Sequence, residues 1–275
     1  MRTAVVTGAG SGLGRAIAAE LAGRGYRVHA TDLDAEAAER TAAGLGGGAT
    51  GSALDVRDEG ACRALAGAVA REGSLDLWVN NAGVFFSGPP WEQGSELRQL
   101  MLEVNTTGLI NGTLAALAPM MASGRGHIVN VISLAGIVAA PGEVAYSATK
   151  HAAMAFTLGT LFDLRRAGVR GIELTAVCPD GIWTPMLEDK LDDPDAAASF
   201  SGQLLTPEQV AREVGKLTVR PRPIAIVPRW RGPILRLADL FPRLTIRVLP
   251  LLFWDARRRQ RRYKKLIESG RWPKS

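Results

Sequence analysis

Ala4-Val5-Val6-Thr7-Gly8-Ala9-Gly10-Ser11-Gly12-Leu13-Gly14-Arg15-Ala16-Ile17 runs from an apolar strand-like stretch through a glycine-rich turn into a helix-like segment. Glycines let a backbone approach a pyrophosphate closely, and the first turn of a helix offers free N–H groups with partial positive charge. A strand before and a helix after separate a dinucleotide site from an ordinary turn, and this stretch has both. Acidic Asp32 ends the next apolar run, residues 27–32. A carboxylate at that strand tip accepts hydrogen bonds from the adenosine ribose hydroxyls and repels a 2′-phosphate. Position 11 is Ser and position 33 is Leu, so no basic residue stands ready for that phosphate and NAD is favoured over NADP. Asp34, followed by Ala35-Glu36-Ala37-Ala38-Glu39, reads instead as a helix N-cap.

Outward from this turn, strand-like runs recur near 3–8, 27–32, 49–54, 75–80, 127–133, 171–177 and 223–228. Helix-like segments fall near 13–24, 34–45, 59–72, 95–122, 144–167 and 206–219, and residues 185–205 form a loop-rich insert. Such alternation predicts parallel strands joined by right-handed crossover helices, an α/β doubly wound sheet of seven strands. Ligands bind at the carboxyl ends of the strands in such sheets, so the insert is expected to act as a lid over the substrate. At 275 residues, 47% hydrophobic and 22% charged, the chain suits one large domain.

Tyr146-Ser147-Ala148-Thr149-Lys150 places a phenol and an ammonium four residues apart, hence on one helix face, with Ser133 upstream. A cation close to a phenol in a partly dry cleft favours the phenolate, the general base that alcohol chemistry needs. Alone, this spacing is better read as a solvated helix face.

With the turn and the Tyr–Lys pair together, the chain resembles the short-chain dehydrogenase/reductase family over about residues 1 to 230. The family's glycine turn stands as Thr7 to Gly14, its adenine-side pair as Asp55-Val56, its Asn-Asn-Ala-Gly as Asn80-Asn81-Ala82-Gly83, and its helix Asn as Asn105. Its Ser, Tyr and Lys match Ser133, Tyr146 and Lys150. The resemblance implies a single Rossmann-type domain and a catalytic set of Asn105, Ser133, Tyr146 and Lys150. Tyr146 would exchange the substrate proton and Ser133 hydrogen-bond the developing carbonyl. Lys150 would lower the Tyr146 pKa and bind the nicotinamide ribose, and Asn105 would hold a water linking Lys150 to solvent. It implies cofactor contacts from Gly8, Ser11, Gly12, Leu13, Gly14, Asp32, Leu33, Asp55, Val56, Asn81, Ala82, Gly83, Tyr146 and Lys150. Pro179, Gly181, Ile182 and Thr184 complete that set around the nicotinamide. The sequence departs from the family at Asp180, which occupies a glycine position in Pro179-Asp180-Gly181-Ile182-Trp183-Thr184 and leaves nicotinamide seating open.

Phe85, Phe86, Val138, Trp183, Met186 and Leu187 fall near the expected cleft and predict a bulky apolar secondary alcohol or ketone, of steroid, terpenoid or lipid-derived type. Residues 104–124 are long enough to span a bilayer but too polar for lipid, and the resemblance implies instead the tail of a helix buried between subunits of a homo-dimer or homo-tetramer. Cys62 and Cys178 lack metal or disulfide spacing, as do His29, His127 and His151, so no metal is expected. No leader pattern precedes the first strand, which gives an expectation of a cytoplasmic protein.

Charge is concentrated at the C-terminus. Residues 220–275 carry 16 Lys and Arg against 3 Asp and Glu, net +13, and the whole chain is +6, so residues 1–219 are −7. Residues 231–275 read as a basic amphipathic extension of the catalytic domain at 1–230, interrupted at Pro242 and Pro250. Three readings compete for it: an anchor on an anionic membrane surface, a helical cap on the subunit interface or substrate cleft, and a nucleic-acid patch. The first is favoured, with Leu249, Leu251, Leu252, Phe253 and Trp254 entering lipid, and truncation after Trp254 is expected to leave soluble turnover unchanged. No nucleic-acid partner is expected, since no aromatic interleaving accompanies the charge. The alternative to an enzyme is a non-catalytic NAD-binding adaptor working through this tail.

Overall fold

A computed structural model describes residues 2–272. Among the described residues the sheet has seven strands: β1 Arg2–Thr7, β2 Tyr26–Asp32, β3 Thr50–Ala53, β4 Leu77–Asn80, β5 Gly126–Val131, β6 Ile172–Pro179 and β7 Ile224–Val227. Their order is β3-β2-β1-β4-β5-β6-β7, and every neighbouring pair is parallel. The order reverses between β1 and β4, and a crevice opens at that switch point beyond the strand ends.

Residues on a strand alternate faces, and β1 shows it: Ala4 and Val6 pack into the layer holding Ile17, Leu21 and Val214, while Val5 packs against Trp78, Met120 and Leu161. The helices covering these faces are α1 Gly12–Gly23, α2 Ala35–Leu45, α3 Glu59–Arg71, α4 Ser95–Leu102, α5 Leu109–Ser123, α6 Val144–Arg166 and α8 Pro207–Leu217. Local chemistry sets several starts. Asp34 and Asp58 accept from backbone N–H groups three residues on, as read for Asp34, and Thr206 with Gln209 closes a reciprocal capping box ahead of Pro207.

The single helix expected over 95–122 is two helices joined by a π-helical segment, Glu103–Gly108. The wider turn delivers the Asn105 side chain to the backbone of Val84, a bulge of the kind found at functional sites. The insert holds a short helix, α7 Pro185–Glu188, and a 3-10 segment, Pro194–Phe200.

The basic extension folds as a hairpin of α9 Arg231–Leu240 and α10 Pro242–Glu268. Phe241, which precedes Pro242, leaves the helical region as expected before proline and sets the bend. Pro250 does not interrupt α10, contrary to the sequence reading. It forfeits one backbone hydrogen bond, but Leu249 and Phe253 on either side are held against the cleft. On α10, Gln260 Nε2 donates to the Lys190 and Asp193 carbonyls (2.8 and 2.7 Å), Tyr263 accepts from Leu204 N–H (3.2 Å), and Lys264 pairs with Asp192. The hairpin is thereby fastened to the insert. No helix is long and apolar enough to cross a membrane among the described residues.

Candidate active site

The glycine turn is built from positions where a side chain would not fit. Gly8 has φ +63°, and a Cβ there would stand 2.8 Å from Ala82 Cα; a Cβ on Gly14 would lie 1.9 Å from the Gly8 carbonyl oxygen. Thr7 Oγ1 accepts from the Asn81 and Ala82 N–H groups (3.0 and 3.1 Å), and Asn81 Nδ2 donates to the Thr7 and Gly8 carbonyls (both 3.0 Å). These bonds join the turns after β1 and β4 into one rigid rim. The first turn of α1 starts at Ser11, whose side chain makes no capping bond. Its orphan N–H groups are available to an anion, and the cradle fits a pyrophosphate.

Asp32 sits at the end of β2 and accepts from Gly10 N–H (2.9 Å) and Asp34 N–H (3.2 Å). Arg57 reaches the same end of the cleft but is committed to both Asp55 carboxylate oxygens, the shortest contact being 2.6 Å, and lies 3.6 Å from Glu103. Its hydrogen bonds hold the Asp55 carboxyl below the usual range. An acidic Asp32, with the cleft's Arg57 paired to Asp55, suits an adenosine ribose with free hydroxyls.

One cleft of ≈ 740 Å³ gathers Gly8, Ser11, Gly12, Leu13, Asp32, Leu33, Asp55, Val56, Asn81, Ala82, Gly83, Pro179, Gly181, Ile182 and Thr184 with Ser133, Tyr146 and Lys150. Two expected residues do not line it. Gly14 lies behind the turn, where it allows α1 to approach Gly8. Asn105 is buried, with Oδ1 accepting from Val84 N–H (2.8 Å) and Nδ2 donating to the Val84 carbonyl (2.9 Å) and Thr149 Oγ1 (3.2 Å). Its geometry is that of a positioning residue, clamping the strand-end turn to α6.

Tyr146 and Lys150 lie one turn apart on α6, with Lys150 Nζ 5.5 Å from the Tyr146 ring centroid and Phe85 edge-on to that ring at 5.0 Å. Burial and the nearby Glu143 carboxylate push the Tyr146 pKa well above that of free tyrosine, against the pull of the Ser133 hydroxyl. Burial also brings Lys150 down to about 8, and its Nζ donates to the Val131 carbonyl (3.3 Å). Burial, not Lys150, dominates the Tyr146 pKa. The two groups are adjacent, but burial disfavours both charged forms, which favours Tyr146 as a phenol.

Sequence reasoning missed two charged residues here. Glu143, the N-cap of α6, is buried, and its Oε1 accepts from Ser199 N–H (2.9 Å) and Ser199 Oγ (2.7 Å). Burial raises its pKa to about 7. Arg231, the first residue of α9, lies 2.9 Å from Asp180 through Nε and donates to Ser201 Oγ at 3.1 Å. The carboxylate at the family's glycine position thus anchors the C-terminal hairpin. Its partner sits fifty-one residues away in sequence and left no local sign.

The substrate end also differs from expectation. Phe85, Val138, Met186 and Leu187 line the cleft. Phe86 and Trp183 do not; Trp183 is buried against Phe200 and Leu204, in the cluster that receives Tyr263 of α10. The missing apolar lining comes from the hairpin, through Leu235, Leu249, Leu252 and Phe253. A signal was present: Leu249, Phe253, Ala256, Gln260, Tyr263 and Ile267 recur every three or four residues, opposite the arginines. Among the described residues no group of three or more His, Cys, Asp or Glu is arranged to hold a metal ion.

A family model for short chain dehydrogenase matches residues 2–195. The chain is 38% identical over 206 residues to 2-(R)-hydroxypropyl-CoM dehydrogenase of Xanthobacter autotrophicus, covering 70% of this chain and 80% of that protein. It is 33% identical to cyclopentanol dehydrogenase of Comamonas testosteroni, covering 74% and 82%. A short chain dehydrogenase/reductase from Burkholderia phymatum solved in complex with NAD superposes with a TM-score of 0.79 at 29% identity, covering 89% of this chain and 95% of that one.

Proposed function

Because the chain belongs to the short chain dehydrogenase family, an oxidoreductase family, we propose that it interconverts a bulky apolar secondary alcohol and its ketone, with NAD(H) as cofactor and Tyr146 as acid and base. The observation that carries the substrate class is the lining: Leu249, Leu252 and Phe253 of α10 line the same cleft as Phe85, Leu187 and Tyr146. A polyol in such a space would leave its hydroxyls unpaired.

The nicotinamide, when bound, accepts or supplies the hydride. Gly8, Ser11, Gly12 and Leu13 would hold its pyrophosphate and Asp32 its adenosine ribose, with Pro179, Gly181, Ile182 and Thr184 at the nicotinamide end. In ketone reduction Tyr146 donates its phenolic proton to the carbonyl oxygen while Ser133 hydrogen-bonds the same oxygen. The raised Tyr146 pKa suits this direction, because the proton is in place at neutral pH. In alcohol oxidation Tyr146 first gives its own proton to solvent and then, as phenolate, takes the hydroxyl proton while the hydride leaves the carbinol carbon; the Lys150 ammonium, present below about pH 8, lies beside that transient phenolate. Asn105 keeps Val84 and Thr149 in place around them.

The same reading includes self-association through α4 and α5, which expose Leu97, Leu102, Leu114 and Met121, and a cytoplasmic protein in contact with an anionic membrane surface. Asp180, the departure from the family's glycine that would favour a non-catalytic adaptor, has its carboxylate occupied by Arg231.

The test is a kinetic panel with NAD and NADP over cyclopentanol, steroid and terpenoid alcohols and D-threitol. The expected result is turnover with NAD in which the apolar alcohols exceed D-threitol in kcat/KM. A preference for D-threitol would reject the substrate class, and a preference for NADP would reject the role of Asp32.

A further inference from the structure

The hairpin of α9 and α10 has two faces. Its inner face carries Leu249, Phe253 and Ala256, which line the cleft. Its outer face carries Leu237, Leu240, Leu244, Leu251 and Trp254, each more than half exposed, an apolar surface larger than scattered side chains explain. The two faces meet at a lip. Ile234, Leu252 and Met186 both line the cleft and stand exposed, so apolar side chains are shared between the cleft and the outer surface. The sequence reading sent residues 249–254 together into lipid; the structure divides them, with Leu249 and Phe253 facing inward and Leu251 and Trp254 outward.

The charges select the occupant. Along the outer line of α10, Arg243 and Arg247 precede Leu251 and Trp254, and Arg258 and Arg262 follow them, with Arg258 5.8 Å from the Trp254 ring. Those four arginines make no ion pair among the described residues, whereas Arg259 pairs with Asp255 and Lys264 with Asp192 and Glu268. Apart from those paired acids, only Asp239 on α9 opposes them. A second copy docking hairpin to hairpin would set one strongly basic face against another, while a layer of anionic headgroups over acyl chains complements both the charge and the apolar groups.

We propose that this outer face lies on an anionic bilayer and that the lip formed by Ile234, Leu252 and Met186 is a portal through which substrate dissolved in the bilayer passes into the cleft. The inference rests on the apolar-substrate reading above and adds to it the phase from which substrate is drawn and the route it takes.

The test uses the full chain with mixed phosphatidylglycerol–phosphatidylcholine vesicles, pure phosphatidylcholine vesicles, and a Leu251→Glu/Trp254→Glu variant, whose altered side chains face away from the cleft. The wild type should co-sediment with anionic vesicles, less so at high salt and little with pure phosphatidylcholine. Its rate on a membrane-dissolved alcohol should follow the mole fraction in the bilayer rather than the bulk concentration. The variant should stop sedimenting, lose more than about tenfold in kcat/KM on the membrane-dissolved alcohol, the scale of a lost large apolar contact, and keep its turnover of cyclopentanol in solution. Turnover of cyclopentanol by a wild type that ignores anionic vesicles would overturn the portal and leave the proposed function standing. Rates that follow bulk concentration in a protein that does sediment would overturn it too, as would dissociation of an oligomer by the variant without any vesicle binding. Sedimentation without turnover of any alcohol would overturn the catalytic reading and the portal with it.

Discussion

Glu143 shows what a single buried carboxyl can do beside a catalytic phenol. Its folded pKa of about 7 lies above the ordinary 4.5, so below pH 4.5 it is protonated in both folded and unfolded chains. Between pH 4.5 and 7 the unfolded chain loses the proton while the folded one keeps it, and stability falls as pH rises through that window, by on the order of 3 kcal/mol. Glu143→Gln retains an acceptor for Ser199 and should abolish this slope in denaturation curves measured across the window. It also removes a negative charge that raises the Tyr146 pKa, so the pH at which oxidation reaches half its maximal rate should move downward. An unchanged slope and an unchanged profile would show that Glu143 does not titrate as described. At this scale the sequence is readable where chemistry has fixed spacing, as in the Gly8–Gly14 turn and the Tyr146–Lys150 pair. It is silent where the property is burial: nothing near Glu143 announces Ser199, fifty-six positions on, or the dryness that keeps Tyr146 protonated.

The elements were legible to the extent that they obey a local period. The seven strands appear within a few residues of the expected positions, and the inner ones do so because continuous apolar runs mark buried strands, whereas β3 is polar and mostly exposed. The π-helical turn at Glu103–Gly108 and the continuation of α10 through Pro250 were not legible, because each is a local cost offset by tertiary contacts, from Asn105 to Val84 in one case and from Leu249 and Phe253 to the cleft in the other. The join of α9 to the sheet is of the same kind. Asp180 follows β6, Arg231 opens α9, and their side chains are almost fully enclosed. Removing one partner of a buried pair leaves an unpaired charge, so Arg231→Met should destabilise the protein by about 3–5 kcal/mol. The double variant Asp180→Gly/Arg231→Met, which restores the family's glycine, should recover most of that loss in a double-mutant cycle. Single and double variants of equal stability would mean that the pair does not anchor the hairpin.

For the whole molecule, the parallel sheet places the turns after β1, β4, β5 and β6 around one crevice, so residues far apart in sequence converge on a shared site. The hairpin completes that site from above, which changes what truncation is expected to do. From sequence, loss of residues 255–275 should spare soluble turnover. With Gln260, Tyr263 and Lys264 fastening α10 to the insert, the truncated protein should instead bind NADH as before but show a raised KM for apolar alcohols and a lower Tm. An unchanged KM would return the extension to a purely peripheral role. The account as a whole turns on Tyr146 as the proton-transferring group in front of a bound dinucleotide. Tyr146→Phe keeps the ring against Phe85 and deletes only the hydroxyl, so NADH should bind with its wild-type Kd while single-turnover hydride transfer falls by about 10²–10⁴. Retention of more than a few per cent of the wild-type rate, with NADH bound, would contradict it.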